Sequence, residues 1–250
     1  MMMKPMLAAC AATLSLGAAL PVQAQEASPL TFNVSLTSDY RYRGISQSRF
    51  KPALQGGLDY AHASGFYLGV WGSTIKWIKD IPGGDADVEV DLYGGFKTQV
   101  AEGLTLDLGL LSYVYPSNKL SPTSANTTEL YAALSYGPVT AKYSHAVTDT
   151  FGNPDSKNSG YLDLAASFDV GDGWMLAPHV GHQKIKGPVG KDASYTDYSL
   201  SLSKDFSGLV PSITLVGTNA DKNFYVPGAN ANSSKFLGKS GVVVALKYNF

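Results

Sequence analysis

The sequence predicts an all-β fold, a transmembrane antiparallel up-and-down β-barrel of about twelve strands, of the outer-membrane type. Three observations lead to it. The chain closes on a strongly alternating strand that ends in an aromatic residue. Short Gly-containing turns alternate along the chain with long polar loops. The strands between them carry small polar and charged residues on one face and apolar residues on the other, the pattern of a barrel wall. No segment after the first 24 residues approaches the ~18 consecutive apolar residues of a membrane-crossing helix.

The N-terminus sets the compartment. Lys4 precedes an uncharged run from Met6 to Leu20, and Val22-Gln23-Ala24 supplies a small-residue cleavage site. This is a secretory signal peptide, too short to span a bilayer. The expected division is therefore a removed signal over residues 1–24 and a single barrel domain over 25–250. Removal takes away Cys10, the one cysteine, so neither disulfide nor thiol chemistry is expected. Leu7-Ala8-Ala9-Cys10 imitates a lipoprotein acylation box, but the apolar run continues well past the cysteine. The whole chain has 19 Lys and Arg against 20 Asp and Glu, and losing Lys4 leaves 18 against 20. Such a balance exerts no general pull on nucleic acid. Charged residues make up 16% of the chain, below the roughly 25% of soluble domains.

Strands are expected near 30–42, 53–62, 66–77, 87–99, 104–115, 127–136, 139–148, 160–170, 174–182, 195–204, 209–218 and 240–250. The first sets Phe32, Val34, Leu36, Tyr40 and Tyr42 against Thr31, Asn33, Ser35, Thr37, Asp39 and Arg41. The fourth sets Val88, Val90, Leu92 and Phe96 against Asp87, Glu89, Asp91, Tyr93 and Lys97. Leu162, Leu164, Ala166 and Phe168 oppose Tyr161, Asp163 and Ser167, and Tyr198, Leu200 and Leu202 oppose Asp197 and three serines. The strands near 66–77 and 209–218 alternate poorly, and Pro211 suits only a strand's start. In the last strand Val242, Val244, Leu246, Tyr248 and Phe250 share one face. Phe250, with Tyr248 and Leu246, has the form of the signal read by barrel-assembly machinery.

The connections sort into two classes. Ala63-Ser64-Gly65, Val100-Ala101-Glu102-Gly103, Gly137-Pro138, Gly171-Asp172-Gly173 and Asp205-Phe206-Ser207-Gly208 are tight turns. The segments near 43–52, 78–86, 116–126, 149–159, 183–194 and 219–239 are longer and polar. Both termini fall on the short-turn side, as in a barrel with periplasmic turns and outside loops. Aromatic residues also divide. Phe32, Tyr60, Phe66, Phe96, Tyr136, Phe168, Trp174 and Phe250 fall near the short-turn ends, and Tyr40, Tyr42, Trp77 and Tyr115 toward the long-loop ends. Two interfacial belts are expected there. The competing architecture is a soluble periplasmic β-protein, whose core would have to accommodate many charges at high cost.

With this facing, the lumen-lining acids are Asp39, Asp59, Glu89, Asp91, Asp107, Glu129, Asp163 and Asp197, and the bases are Arg41, Arg43, Lys97, Lys142 and Lys247. Eight acids against five bases predict a mildly negative interior and a weak preference for cations. Asp87 joins them in the ladder Asp85, Asp87, Glu89, Asp91, which descends on one face from the long-loop end. The ladder reads as a cation-attracting mouth or as acids paired with neighbouring Lys or Arg; the spacing of a calcium-binding EF-hand is absent. Asp39 and Arg41, two apart, are placed to form an ion pair. Long loops, or the inward Tyr93, Tyr113 and Tyr161, would narrow the passage. The expected activity is passive diffusion of small hydrophilic solutes or ions. The alternatives are a structural, ligand- or partner-binding barrel with a plugged lumen and, behind it, a rim-sited hydrolase.

Catalytic signatures are lacking. There is no G-x-S-x-G elbow and no H-E-x-x-H. His179 and His182 fall on opposite faces of their strand, Ser144 and His145 likewise, and Gly238-Lys239-Ser240 lacks the earlier glycine of a phosphate loop. No enzyme activity, metal or cofactor is expected. The expected partners are outer-membrane lipid, the assembly machinery and the solutes themselves, and the expected location is the outer membrane of a Gram-negative bacterium.

One stretch resembles a known family. Ser38-Asp39-Tyr40-Arg41-Tyr42-Arg43-Gly44-Ile45-Ser46-Gln47-Ser48, followed by Pro52-Ala53-Leu54-Gln55-Gly56-Gly57-Leu58-Asp59-Tyr60, is similar to the N-terminal hallmark of the TorF family of proposed porins. Val90-Asp91-Leu92-Tyr93-Gly94-Gly95-Phe96 and the aromatic end extend the likeness. The resemblance implies an outer-membrane barrel and brings neither a substrate nor catalytic residues with it.

Overall fold

A computed structural model describes residues 28–226 and 235–250. The expected signal peptide, residues 1–24, lies outside them, as does part of the 219–239 loop. Twelve barrel strands follow one another among the described residues: β1 Leu30–Thr37, β2 Ala53–Ala61, β3 Phe66–Thr74, β4 Val88–Ala101, β5 Leu104–Val114 and β6 Thr127–Tyr136. They continue as β7 Val139–Ala146, β8 Gly160–Ala166 with a short extension Phe168–Asp169, β9 Trp174–Lys184, β10 Tyr195–Lys204, β11 Leu209–Thr218 and β12 Gly241–Asn249. Each pairs antiparallel with the next, and β12 pairs with β1 from Asn33↔Asn249 to Thr37↔Ala245. The sheet is thus closed. No described helix is long and apolar enough to cross a membrane.

Most boundaries fall within two or three residues of those expected from sequence. Three departures have physical causes. β1 ends at Thr37, five residues earlier than expected, because the chain after it turns into the barrel. β3 stops at Thr74, where a loop containing the 3₁₀ turn Ile78–Asp80 begins. β4 starts at Val88, so Asp87 belongs to that loop rather than to the wall. β3 and β11, whose alternation is poor, are nonetheless in continuous register, Phe66↔Phe96 to Thr74↔Val88 and Leu209↔Tyr248 to Val216↔Gly241. Pro211 stands at the third position of β11 and pairs with Leu246 on one side only.

The sidedness is that of a barrel in lipid. On β12, Val242, Val244, Leu246 and Tyr248 are exposed, and Phe250 beyond its end is 71% exposed. Phe32, Leu36, Leu108, Leu134, Leu164 and Leu200 are exposed on other strands, while Asp91, Asp107, Glu129 and Asp197 are buried. A soluble sheet has the opposite order. Near the short turns Phe66, Tyr136, Phe168, Trp174, Phe206 and Phe250 are exposed and form the expected belt. Gly65 shows why these turns stay tight: its φ is +100° and its backbone is packed against the Lys97 carbonyl, leaving no room for a side chain.

The lipid-facing side of β8 gives a direct test. Leu164→Arg should destabilise the folded barrel by about 2–4 kcal/mol in lipid vesicles if the residue lies near the bilayer centre, and Leu164→Ile should change it little. Urea titration with reversible folding into vesicles measures both. An arginine tolerated without loss would mean that water covers this face.

Candidate functional site

Between β1 and β2 the chain does not leave the barrel. Residues 39–48 are all buried. Arg41–Tyr42 pairs antiparallel with Ile45–Ser46, and the two residues between them, Arg43 and Gly44, have φ of 46° and 79°. Two consecutive left-handed residues are what a two-residue hairpin turn of natural twist requires. Gly44 meets a second demand, since a Cβ there would lie 2.8 Å from the Asp197 Cβ on β10.

Asp39 braces this inner hairpin. Ser46 Oγ and Ser48 Oγ donate to its Oδ1 at 2.6 and 3.1 Å, and Arg41 Nε donates to its Oδ2. Arg41 Nη1 then donates to the carbonyls of Gly44 and Lys239, each at 2.9 Å. The pair expected from the two-residue spacing is present, but it joins the hairpin to the β11–β12 connection instead of standing on a strand.

Arg43, at the tip, crosses to the far wall. Its Nη1 and Nη2 donate to Glu129 Oε1 and Oε2 at 3.1 and 2.7 Å, and both side chains are at most 2% exposed. Nη1 also donates to Gln183 Oε1, and the guanidinium lies 4.1 Å from the ring centre of Tyr161. One planar cation therefore ties the hairpin to β6, β8 and β9 by bidentate and stacking contacts suited to arginine. The hairpin's tyrosines extend the attachment. Tyr42 donates to the Tyr113 hydroxyl on β5 at 2.8 Å, and Tyr40 donates to Glu89 Oε1 on β4 at 2.7 Å.

These contacts correct the expected outer aromatic belt. Tyr40, Tyr42 and Tyr115 are buried inside the mouth, and Trp77 packs edge-on against Tyr115 at 5.5 Å. All four lie beyond the ends of the barrel strands, where two-residue alternation no longer fixes a face. The acid ladder splits at the same place. Glu89 and Asp91 are buried on β4, but Asp85 and Asp87 are exposed in the preceding loop. Asp87 is thus not lumen-lining: Lys79 Nζ donates to it at 2.8 Å, as Lys119 Nζ does to Asp85 at 2.6 Å. These hydrogen bonds hold both carboxyls below their ordinary range.

On the short-turn side of the hairpin the interior charges form a cross-strand series. Lys97 stands opposite Asp107, Lys142 stands opposite Asp163, and Gly181 separates Asp163 from Asp197. Tyr67 donates to Asp107 Oδ1 at 2.6 Å, Tyr93 donates to Asp59, and Lys142 Nζ lies 4.0 Å from the Tyr131 ring centre. Tyr93 and Tyr131 lie directly over Gly69 and Gly109 of the neighbouring strands, with no room for a Cβ between. The rings are thereby laid against the wall. His179 Nε2 is 3.3 Å from Asp163 Oδ2, whereas His182 is exposed and bonded to Thr196, so the two histidines do face opposite ways. Lys247 is half-buried on β12.

Sequence reasoning missed the hairpin and the roles of Gln183 and Tyr67. The Arg43-Gly44 dipeptide was the available signal, since a glycine beside a residue able to adopt positive φ marks a hairpin turn.

The profile of a bacterial protein family of unknown function, Gcw_chp, matches residues 23–250. Among solved structures, the chain is similar to the KdgM porin, with 9% identity and a TM-score of 0.54, covering 88% of this chain and 98% of that one. The NanC porin gives 12% identity, a TM-score of 0.54 and the same coverages. A structure titled KdgM porin in complex with disordered oligogalacturonate gives 8% identity and a TM-score of 0.53. The architecture is that of these porins. No curated protein matches the chain in sequence.

Removing one partner of the Arg43–Glu129 pair should expose how firmly the hairpin is held. Arg43→Met should cost about 3–5 kcal/mol, the range for breaking a buried pair, and adding Glu129→Leu should recover most of it. Unfolding in vesicles measures the cycle; a single-variant loss below ~1 kcal/mol, typical of exposed pairs, would mean that the hairpin is loosely attached.

Proposed function

The chain belongs to the Gcw_chp family of bacterial proteins of unknown function, and from its barrel we infer a channel of the Gram-negative outer membrane. It passes small hydrophilic solutes or ions by diffusion, with a weak preference for cations. The observation that carries this reading is the sidedness of the wall: apolar residues face out, whereas Glu89, Asp91, Asp107, Glu129 and Asp197 on the same strands are buried. A hydrated interior is the environment in which so many ionisable groups cost least. The excess of acids favours cations. The similarity of residues 38–60 to the TorF family of proposed porins supports the same reading, as does the fold shared with porins.

The inner hairpin favours a second reading, a barrel closed at its mouth whose loops bind a ligand or partner. Planar bilayers separate the two. A channel narrowed by the hairpin should give small unitary steps in the native protein and severalfold larger ones in Arg43→Ser. Its reversal potential in a salt gradient should show cation preference that shrinks in Glu89→Gln/Asp107→Asn. A native protein that is silent while Arg43→Ser conducts would establish the closed barrel, and silence of both folded proteins would remove the channel reading.

The exposed Phe250 serves in this reading as the assembly signal. Deleting it should lower the amount of heat-modifiable barrel recovered from outer membranes severalfold while leaving spontaneous folding into vesicles nearly unchanged. Equal losses in both measurements would assign the residue to stability alone.

A further inference from the structure

Above the inner hairpin the outer loops enclose a cavity of about 380 Å³, within the ~300–1,000 Å³ typical of small-molecule sites. The hairpin forms its floor through Tyr42, Ile45, Ser46 and Gln47. Its walls come from the connections after β3, β5 and β7, from Gln183 and Ile185 at the end of β9, from Tyr195 on β10, and from residues 224–226 and Leu237 of the β11–β12 connection. Among the described residues, no Asp, Glu, Lys or Arg lines it. The change is abrupt, because Arg43 and its acidic partner Glu129 lie just beneath the floor.

Six aromatic side chains line the space: Tyr42, Trp77, Phe151, Tyr195, Phe224 and Tyr225. Five of them meet in pairs, and Trp77 packs edge-on against Tyr115 outside the cavity. Tyr42 and Phe151 meet edge-on at 5.3 Å, Tyr195 and Tyr225 at 5.1 Å, and Phe224 and Tyr225 at 5.0 Å. Rings already held in place lose little freedom when a ligand packs on them.

The polar groups narrow the ligand class. Gln47 Nε2 donates to the Ile45 carbonyl at 3.0 Å, Asn153 Nδ2 to that of Thr150 at 2.8 Å, and Gln183 Nε2 to that of Gly160 at 3.1 Å. Gln183 Oε1 is taken by Arg43. Each of these amides keeps a second N–H, and the indole N–H of Trp77 has no partner among the described residues, so the site offers a ligand a few donors as well as the acceptor oxygens of Gln47 and Asn153. A charged solute would shed hydration here with no counter-charge to replace it. An uncharged aromatic ring carrying a hydroxyl donor fits both the walls and the acceptors.

We propose that this vestibule is a binding site for an uncharged hydroxylated aromatic compound, a phenol, on the outer face of the barrel. The proposal stands whether or not the barrel conducts. The test is calorimetric titration of the full-length folded barrel in lipid nanodiscs with 2-naphthol, after subtracting partition into empty nanodiscs. One saturable site per barrel is expected, with naphthalene and benzoate both binding more weakly. Ile81→Glu, which places a charge in the wall, should weaken binding by about tenfold or more, while Ile81→Val should leave it nearly unchanged. Leu120→Glu, on a different loop, repeats the test should Ile81→Glu lose the heat-modifiable migration of the folded barrel. Absence of a saturable site, binding undiminished in both folded glutamate variants, or tighter binding of benzoate or maltose than of 2-naphthol would overturn the proposal.

Discussion

The structure depends on a closed circuit of backbone hydrogen bonds. In hydrocarbon an unpaired N–H or C=O has no water to turn to, so a sheet can cross only if it has no edge. The seam between β1 and β12 supplies that closure, and it joins the two ends of the described barrel. Closure has a second consequence. Once the sheet is a tube, every strand must send alternate side chains outward to lipid and inward to a confined space. The inward set cannot spread into solvent as the charges on a soluble surface do. The interior charges must be hydrated or must find partners within the tube.

Both arrangements of partners follow from this confinement. Along the wall, Lys97 with Asp107 and Lys142 with Asp163 stand opposite each other on adjacent strands. At the mouth the partner for Glu129 is not on a neighbouring strand. It arrives on the inner hairpin, as Arg43, from the other side of the barrel. β1 is short enough to make this possible: ending at Thr37, it leaves residues 38–52 to turn inward and return to β2 at Ala53. The pair is strong less because it is buried, which is costly for both ions, than because geometry is favourable. Two parallel hydrogen bonds and the Tyr161 ring offset the desolvation that a single contact would not.

Much of this was readable in the sequence, for a definite reason. Wall residues obey a two-residue period, so Val242 to Phe250, or Asp197 to Ser203, declare their strand and their faces together. Gly65, Gly103 and Gly208 mark the turns because left-handed backbone is needed there. What period two cannot report is where a strand stops. Tyr40 and Tyr42 keep the apolar parity of β1, interrupted at Ser38 alone, yet the chain has already left the wall and both rings are buried in the mouth. Asp87 fails in the same way one residue before β4. The two-residue period also carries no information about contacts across the lumen. Arg43 and Glu129 are 86 residues apart, and nothing in either one's local pattern names the other. The residues that shape the candidate site are those at strand ends and beyond, where local rules give way to tertiary contacts.

Along the barrel axis three environments follow one another. Outermost is a neutral aromatic vestibule, next the hairpin held by one arginine, and beyond it a charged interior lined by tyrosines pressed flat over glycines. On the channel reading, width is set at the hairpin and the field by the wall below, so size and charge act at different depths. The vestibule and the lumen share a boundary, because Tyr42 lines the cavity above and also contacts Arg43 and Tyr113 beneath. A ligand packed against Tyr42 from above would shift the hairpin only if it bound the seated and displaced arrangements with different affinity. Its floor contacts with Tyr42 and Ile45 exist only while the hairpin is seated. An occupant of the vestibule would therefore favour the narrowed state.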